Sequence, residues 1–277
     1  MTLIASISGI RGTIGGESEK NLTPIDIVKF TSAFGMWMTT KSESTKVVIG
    51  RDARVSGPMV EHLVIGTLVG LGFEVINLGL STTPTVEMAV TAYQAAGGIV
   101  LTASHNPGDW NALKLLNRKG EFVTNKAGGD IQEIVKRGFF TYAMIDQIGF
   151  VTEVNDFGAQ HIQKILELSY IDAFAVGAAN LKVLVDGVNS SGGVYVPQLL
   201  RAMGVTDIVE LNCEPTGHFA HNPEPLKQNL LDTCAAILTH RCDLGIVVDP
   251  DVDRLVFIDE NGELFGEEYT LVAIADY

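Results

Sequence analysis

Short β-branched runs alternate with helical stretches in the first half of the chain, and few folds accommodate that order. The runs, which are typical of buried strands, lie at residues 47–49, 73–76 and 99–101. Apolar residues at helical spacing fill the stretch between the first two runs, and Thr83-Pro84 opens a second such stretch. We expect these helices to end at Gly72 and at Gly97-Gly98. Strands joined by helices pair in parallel through right-handed crossovers, so the pattern predicts an α/β domain.

The second half of the chain repeats this plan. Its predicted strands lie at residues 183–185, 208–211 and 244–248, and its helices lie near 193–203 and 227–240. A chain of 277 residues is long enough for two ordinary domains. The predicted fold is therefore α/β, with two tandem α/β/α sandwich domains whose sheets are mixed and mainly parallel.

The domain bounds are predicted from changes in pattern. Strand character is lost over residues 149–156 before a new helical pattern begins, so we assign 1–152 to the first domain and 153–265 to the second. An apolar helical pattern starts near Tyr269 and ends without a glycine stop or a polar tail. Residues 266–277 are therefore expected to be the truncated start of a third domain.

The composition of the chain limits the kinds of partner that it is expected to bind. A formal net charge of -14 opposes nucleic-acid binding, because a phosphate backbone selects basic surfaces. No apolar run reaches the roughly 18 residues of a membrane span, and no basic region precedes an apolar core at the N-terminus. We therefore expect a cytoplasmic protein without a membrane partner. The three cysteines form no C-x-x-C pair and are expected to be buried free thiols, and the oligomeric state stays unknown.

A polar turn follows the strand predicted at 99–101, where sites form in α/β sheets. This turn, residues 102–107, reads Thr-Ala-Ser-His-Asn-Pro. In one interpretation Ser104 or Asn106 caps a helix and Pro107 fixes its entry. In the other, Ser104 is a carrier of a chemical group. The G-x-S-x-G motif of serine hydrolases is absent, so a hydrolase nucleophile is not indicated.

Three carboxylates follow the strand predicted at 244–248. Asp249, Asp251 and Asp253 occupy alternate positions, so they share a face of an extended segment and can converge on one hard cation. The alternative is a solvated acidic turn. Calcium is disfavoured because the loop lacks the glycine and distal glutamate of an EF-hand. Magnesium fits better because it accepts few carboxylates together with a phosphate oxygen.

Basic side chains could reverse the negative field where a phosphorylated ligand binds. Arg11 lies between glycines at residues 8–12, which could let the backbone pass close to a ligand, although a surface arginine in a turn is equally consistent. Lys114 follows Ser104 by ten residues and could fold back over it.

The stretch 50–57 holds Arg51 and Arg54 beside Asp52. Either an ion-pair scaffold or an anion site would explain this pattern, and we favour the scaffold, with Ser56 capping the helix that follows.

Two further segments are expected to be structural. The glycine-rich turn at 186–193 matches neither G-x-x-x-x-G-K-[ST] nor a full G-x-G-x-x-G, so tight turns are the preferred interpretation. His218 and His221 are weak metal candidates, and we predict that they bind no metal.

Together these segments resemble the α-D-phosphohexomutase family, which includes phosphoglucomutase, phosphomannomutase and phosphoglucosamine mutase. Residues 8–12 look like its opening arginine motif, 102–107 like its phosphoserine loop and 249–254 like its metal loop, in matching order and spacing. Residues 50–52 and 223–225 also look like family landmarks. The resemblance extends over essentially the whole chain.

The resemblance implies an intramolecular phosphotransferase that interconverts hexose 1-phosphate and hexose 6-phosphate. Phosphorylated Ser104 would give its phosphoryl group to the sugar, and the resulting hexose 1,6-bisphosphate, which is also the activator, would turn around and return the other phosphate. One Mg²⁺ per chain would be held by an oxygen of phospho-Ser104 and the carboxylates of Asp249, Asp251 and Asp253.

The remaining roles are also implied by the resemblance. Arg11, Lys114 and His105 are the expected catalytic companions of Ser104, and Arg254, Asn106 and Arg51 are the expected phosphate-binding residues. The sequence leaves open which hexose phosphate is used.

The chain departs from the family pattern in two ways. Ala112 stands where the family usually has glycine, two residues before Lys114. In addition, the Gly-Glu-x-Ser-Gly-His sugar loop and the Arg-x-Ser-Gly-Thr phosphate loop of the family's third and fourth domains are not found in the sequence. The chain alone is therefore expected to turn over little or no substrate.

Two other functions stay open at this stage. One is a magnesium-dependent phosphohydrolase that uses an aspartate as its nucleophile. The other is a noncatalytic module whose aspartates hold a structural cation.

Overall fold

A computed structural model describes residues 1–6 and 9–276, with only the backbone of Glu267, Glu268 and Leu271. The chain divides into two compact units. The first contains Met1–Ala103 and Gly108–Phe157, and the second contains Ser104–Pro107 and Gly158–Tyr277. The turn around Ser104 thus packs as part of the second unit. No helix in the described part of the chain is long and apolar enough to cross a membrane.

The first unit is built on a seven-stranded sheet with the order β1-β2-β6-β5-β3-β4-β7. Its strands are β1 (Ile4–Ser6), β2 (Gly9–Thr13), β3 (Lys46–Arg51), β4 (Glu74–Leu80), β5 (Gly97–Leu101), β6 (Trp110–Leu116) and β7 (Phe150–Glu153). Strands β5, β3, β4 and β7 pair in parallel, whereas β6 is antiparallel to both β5 and β2. Its helices are α1 (Pro24–Thr39), α2 (Gly57–Gly70), α3 (Thr83–Ala92) and α4 (Asn125–Arg137).

Helices cover both faces of this sheet. Val47 and Ile49 pack in one apolar cluster with residues of α1, α2 and α4, while Val48 between them packs with residues of α3. Alternate residues of a strand point to opposite faces, so the β-branched run at 47–49 supplies both cores. This is the predicted α/β/α arrangement.

The predicted end of α3 was wrong. The helix ends at Ala92, and Gly97 and Gly98 belong to β5. A Cβ at Gly97 would lie 2.6 Å from the carbonyl oxygen of Leu116, and one at Gly98 would lie 2.6 Å from Val90. These glycines therefore allow close packing around β5 and do not terminate a helix. Gly72, with a φ of 90°, does follow α2 as predicted.

Residues 150–153, within the segment where strand character was expected to be lost, form strand β7. It pairs in parallel with β4, and Asn77 donates a hydrogen bond from Nδ2 to the carboxylate of Glu153 at 3.0 Å. Most of β7 is exposed. A four-residue edge strand of this kind lacks the continuous apolar pattern that identifies a buried strand.

The second unit has a five-stranded sheet with the order β12-β11-β10-β8-β9. Its strands are β8 (Lys182–Asp186), β9 (Asp207–Leu211), β10 (Leu244–Val248), β11 (Leu255–Asp259) and β12 (Leu264–Phe265). Strands β10, β8 and β9 pair in parallel, and β11 and β12 are antiparallel additions. The helices are α5 (Phe157–Leu166), whose first residue belongs to the first unit, α6 (Ala173–Ala178), α7 (Gly192–Ala202), α8 (Leu231–His240) and α9 (Glu267–Asp276). Both units are thus α/β/α sandwiches with mixed sheets of mostly parallel strands.

Candidate active site

The turn that carries Ser104 leads from β5 into β6, so Ser104 and Asn106 cap no helix there. Ser104 adopts a left-handed backbone with a φ of 51°, which is uncommon for a residue with a side chain. Its side chain is buried, with 9% of the residue exposed, and His105 and Asn106 beside it are half-buried. The polar turn is therefore a specific, strained conformation and not a solvated cap.

The aspartate loop begins directly after β10. One carboxylate oxygen from each of Asp249, Asp251 and Asp253 lies within 4.8 Å of the other two. Asp249 and Asp251 are fully buried, whereas Asp253 is exposed. The expected convergence is therefore present, but residues 250–253 form a turn and not the extended segment on which the prediction was based.

Asp249 also organises the loop backbone. Its Oδ1 accepts hydrogen bonds from the backbone N–H groups of Asp253 and Arg254, both at 3.1 Å. Val252, which directly precedes Asp253, has a φ of 63°, a left-handed conformation that is costly for a β-branched residue. The carboxylate at position 249 thus stabilises a backbone that the sequence alone would not favour.

Burial is the largest cause that raises the pKa of Asp249 well above its usual value, and the negative charges of Asp251 and Asp253 raise it further. Hydrogen bonds from Ser104 and from the backbone of Arg254 act in the opposite direction. Three carboxylates so close together, two of them buried, are unfavourable without compensating positive charge.

Ser104 and the aspartate loop come together within the second unit. The hydroxyl of Ser104 donates a hydrogen bond to Oδ2 of Asp249 at 2.7 Å. The same Oγ lies 3.4 Å from Oδ1 of Asp253 and 3.4 Å from Nδ1 of His105. A hydroxyl, an imidazole and a carboxylate cluster thus share one small volume, although Ser104 and Asp249 are 145 positions apart in the chain.

The residues present fit a hard divalent cation. The donor set consists of carboxylate and hydroxyl oxygens, without sulfur, and magnesium and calcium both prefer oxygen ligands. A cation would also relieve the repulsion that raises the pKa of Asp249. Ser104, Asp249, Asp251 and Asp253 are the residues that would hold it.

The glycine-rich turn at 186–193 supports the aspartate loop, a role that sequence reasoning missed. The hydroxyls of Ser190 and Ser191 both donate to the carbonyl oxygen of Pro250, at 2.8 and 2.7 Å. A Cβ at Gly193 would lie 2.3 Å from the backbone of Cys213, so glycine is required at that close approach. No local motif signals this contact, because it joins turns about 60 residues apart.

Arg11 and Lys114 lie on neighbouring strands of the first unit. In the antiparallel pairing of β2 with β6, Arg11 is opposite Ala112 and Gly9 is opposite Lys114. Because side chains alternate along a strand, Arg11 and Lys114 share a face of the sheet. Ala112 lies in regular strand without a positive φ, so alanine fits here.

Glycine at position 9 is required by close packing within the sheet, whereas the sequence suggested an approach of the backbone to a ligand. A Cβ there would lie 1.8 Å from the carbonyl oxygen of Leu113. Ser8, the first residue of the predicted arginine motif, falls outside the described residues.

Arg51 and Arg54 both form ion pairs of the predicted scaffold. Nε of Arg51 lies 2.9 Å from Oε2 of Glu61, and Nε of the fully buried Arg54 lies 2.9 Å from Oδ2 of Asp52. The hydroxyl of Thr102, two residues before Ser104, donates to the same oxygen of Asp52 at 2.7 Å.

The predicted cap at Ser56 was half right. Ser56 occupies the N-cap position of α2 but makes no side-chain cap bond, and its hydroxyl accepts a hydrogen bond from Asn111. Arg254, the predicted phosphate-binding residue after the aspartate loop, has its guanidinium 3.7 Å from a carboxylate oxygen of Glu224.

Comparison with known proteins gives one consistent result. The family model of phosphoglucomutase/phosphomannomutase alpha/beta/alpha domain I matches residues 4–141, and the model of domain II matches residues 159–262. A phosphoglucomutase/phosphomannomutase of Thermococcus kodakarensis is 35% identical over 96% of this chain and 58% of its own length. A phosphoglucosamine/phosphogalactosamine mutase of Sulfurisphaera tokodaii is 32% identical over 92% of this chain and 54% of its own length.

The fold agrees with these sequence matches. A crystal structure of a phosphoglucomutase/phosphomannomutase family protein from Burkholderia thailandensis superposes with a TM-score of 0.79 at 24% identity, over 99% of this chain and 58% of that one. The chain therefore spans a little over half the length of the relatives that it matches.

Proposed function

Because the chain belongs to the phosphoglucomutase/phosphomannomutase family of α-D-phosphohexomutases, we propose that it carries the phosphoryl-transfer half of an enzyme that interconverts hexose 1-phosphate and hexose 6-phosphate. Ser104 is the phosphoryl carrier in this proposal. The enzyme acts on a phosphosugar, as the names of the relatives indicate, and hexose 1,6-bisphosphate is the intermediate and activator.

The hydrogen bond from Ser104 to Asp249 is the observation that carries the proposal. A serine that only capped a turn would not need a left-handed backbone or burial against three carboxylates. A phosphoryl group at Oγ would bring three acceptor oxygens and about -1.5 to -2 charge beside those carboxylates. Such a group is tolerable there only with a cation or strong donors, and the oxygen-rich donor set suits magnesium.

The transfer itself exchanges one P–O bond for another. The bond between phosphorus and Oγ of Ser104 breaks as a sugar hydroxyl oxygen bonds to phosphorus, and the proton of that hydroxyl passes to a base. Magnesium, when bound, supplies charge neutralisation at the transferring group. Arg11, Lys114 and His105 are the proposed acid–base and electrostatic companions, and Arg254, Asn106 and Arg51 are the proposed phosphate-binding residues.

Phosphosite mapping tests the proposal. The chain is incubated with glucose 1,6-bisphosphate and Mg²⁺ and examined by intact mass and peptide mapping. We expect one acid-stable phosphate at Ser104 that is absent from Ser104→Ala. Ser169→Ala, a change at an exposed serine in another turn, is the matched control and should be phosphorylated normally.

The same experiment separates the other functions. A phosphohydrolase that uses an aspartate would give an acyl phosphate that hydroxylamine removes, with no phosphate on serine. A noncatalytic cation module would give no phosphorylation at all. Either result would overturn the assignment of Ser104.

A further inference from the structure

His221 lies in the long loop between β9 and α8, and its two ring nitrogens both face acceptors. Nε2 lies 3.1 Å from Oδ2 of Asp186, and Nδ1 lies 2.8 Å from the backbone carbonyl oxygen of Asn222. A carbonyl and a carboxylate accept hydrogen bonds but do not donate them. Opposite an ionised Asp186, an imidazole that bonds to both acceptors carries a proton on each nitrogen, which makes it an imidazolium.

Asp186 is a fully buried carboxylate at the end of β8, and its contacts favour the ionised form. Oδ1 accepts hydrogen bonds from the backbone N–H of Val188 at 3.0 Å and from Nδ2 of Asn212 at 3.2 Å. Oδ2 accepts from Thr233 at 2.6 Å as well as from His221. The two amide N–H groups on Oδ1 can only donate, so they favour the ionised carboxylate, and the charge of His221 compensates the buried negative charge.

The loop anchored in this way reaches the proposed active site. Three residues after His221, Glu224 pairs with Arg254 at 3.7 Å, and Arg254 directly follows Asp253 of the aspartate loop. The backbone of Gly217 donates to the carbonyl of Asn189, which gives the loop a second attachment near its start. The His221–Asp186 pair is therefore the charged anchor of the segment that brings Glu224 to Arg254.

We propose that His221 is a positioning residue: as an imidazolium bound to Asp186 it holds the loop of residues 213–226 in place and keeps Glu224 against Arg254, and its deprotonation releases the loop. This proposal goes beyond phosphoryl transfer and does not depend on it.

The charges around His221 give the direction of the pH dependence. Burial lowers the pKa of His221, but the hydrogen bond and charge of Asp186, the Asn222 carbonyl and the charge of Asp232 at the start of α8 together raise it above its usual value. Burial likewise acts to raise the pKa of Asp186, and the bonds and charge from His221 and Thr233 bring it below its usual value. The nearby thiol of Cys213, with its pKa raised to about 12 mainly by burial, stays neutral.

The direction of the pH dependence follows from the two pKa shifts. A raised pKa at His221 gives stabilisation that is complete below the unfolded value of about 6.5 and is lost as pH rises through the folded value. A lowered pKa at Asp186 gives stabilisation that is present above about 3.9 and is lost as pH falls through the folded value. The His221–Asp186 pair is therefore formed at pH values between the two folded-state pKa values, and it is lost when the pH rises above the folded-state pKa of His221.

NMR titration and hydrogen exchange of the whole chain test the proposal. We expect the ring of His221 to titrate with a midpoint above the usual histidine value of about 6.5. His218 is an exposed histidine of the same loop. Amide protection of residues 213–226, corrected for the intrinsic rise of exchange with pH, should fall with the same midpoint. His218→Gln is the matched control and should leave both curves unchanged.

Two variants separate charge from packing. His221→Arg keeps a positive charge at every pH, so loop protection should be retained and become independent of pH over this range. Asp186→Asn should bring the midpoint of His221 to or below the usual histidine value of about 6.5. A wild-type His221 that titrates no higher than about 6.5, or loop protection that does not follow its titration, would overturn the proposal. Neither readout involves phosphate, so failure here would leave the proposed function unaffected.

Discussion

Ser104 and Val252 both adopt left-handed backbones, and they lie in the two turns that meet at the candidate active site. Each such residue costs on the order of 1–3 kcal/mol unless its surroundings enforce the conformation. Here Asp249 is the common partner, because it accepts a hydrogen bond from the hydroxyl of Ser104 and from the backbone on the C-terminal side of Val252. One carboxylate therefore fixes both strained turns.

The crowding of the three aspartates predicts a stability effect that depends on the cation. Asp253→Asn removes one negative charge from the exposed side of the cluster and leaves Asp249 in place. Without divalent cations the variant should be more stable than the wild type, by on the order of 1 kcal/mol, because a like-charge repulsion is lost. Thermal unfolding in EDTA measures this.

The same variant should lose much of its stabilisation by magnesium, since a ligand has been removed. Asp130→Asn, a change at an exposed position of α4, is the control and should alter neither quantity. A variant less stable than the wild type in EDTA would show that repulsion is not the dominant property of the cluster.

At the scale of the elements, the sequence predicted the parallel strands other than β7, but not the strands that are antiparallel to all their neighbours. β-branched runs mark strands β3, β4, β5, β8, β9 and β10. All of these except the half-exposed edge strand β9 are largely buried, and parallel strands buried on both faces need continuous apolar sequence. Strand β6 carries Asn111 and Lys114 among apolar residues, and β7 is largely exposed. Tertiary pairing decides these strands, and no local pattern encodes it.

Some features of the candidate site could likewise be predicted from the sequence, and others could not. The aspartates were predictable because all three lie in one short loop. The donation of Ser190 and Ser191 to Pro250, and the contact of Asp186 with His221, depend on how distant turns fold together. The resemblance to the family predicted that Ser104 and the aspartate loop act together, whereas the residues that support both were not foreseen.

The fully buried Arg54–Asp52 pair joins the end of β3 to the segment that leads to Ser104. Asp52 accepts from Thr102, and Arg54 donates to the carbonyl of Trp110 at 3.0 Å. Asp52→Asn leaves the guanidinium buried without its counter-charge, which should cost about 3–5 kcal/mol. Urea unfolding of the chain measures this loss.

Glu133→Gln tests whether that loss of stability arises because the ion pair is buried. It removes the acidic partner of Arg137 from an exposed ion pair on α4, which should cost no more than about 1 kcal/mol. Equal losses in the two variants would contradict the assignment of Asp52 and Arg54 as a buried structural pair.

At the scale of the whole molecule, an acidic chain is proposed to handle an anionic substrate. The net charge is -14, and three of the negative charges lie at the candidate site itself. Attraction of a phosphosugar must therefore come from local positive groups and a bound cation, and not from the overall field. The proposed function therefore requires that Ser104 and the aspartates share one cation.

Phosphorus NMR of the chain phosphorylated on Ser104 tests most directly whether the phosphoserine and the aspartates share one cation. Manganese, a paramagnetic substitute for magnesium, broadens signals steeply with decreasing distance. We predict that one equivalent of Mn²⁺ broadens the phosphoserine signal strongly, and that Asp251→Asn largely prevents the broadening at the same concentration. A phosphoserine signal that stays sharp while Mn²⁺ is bound to the chain would contradict the account.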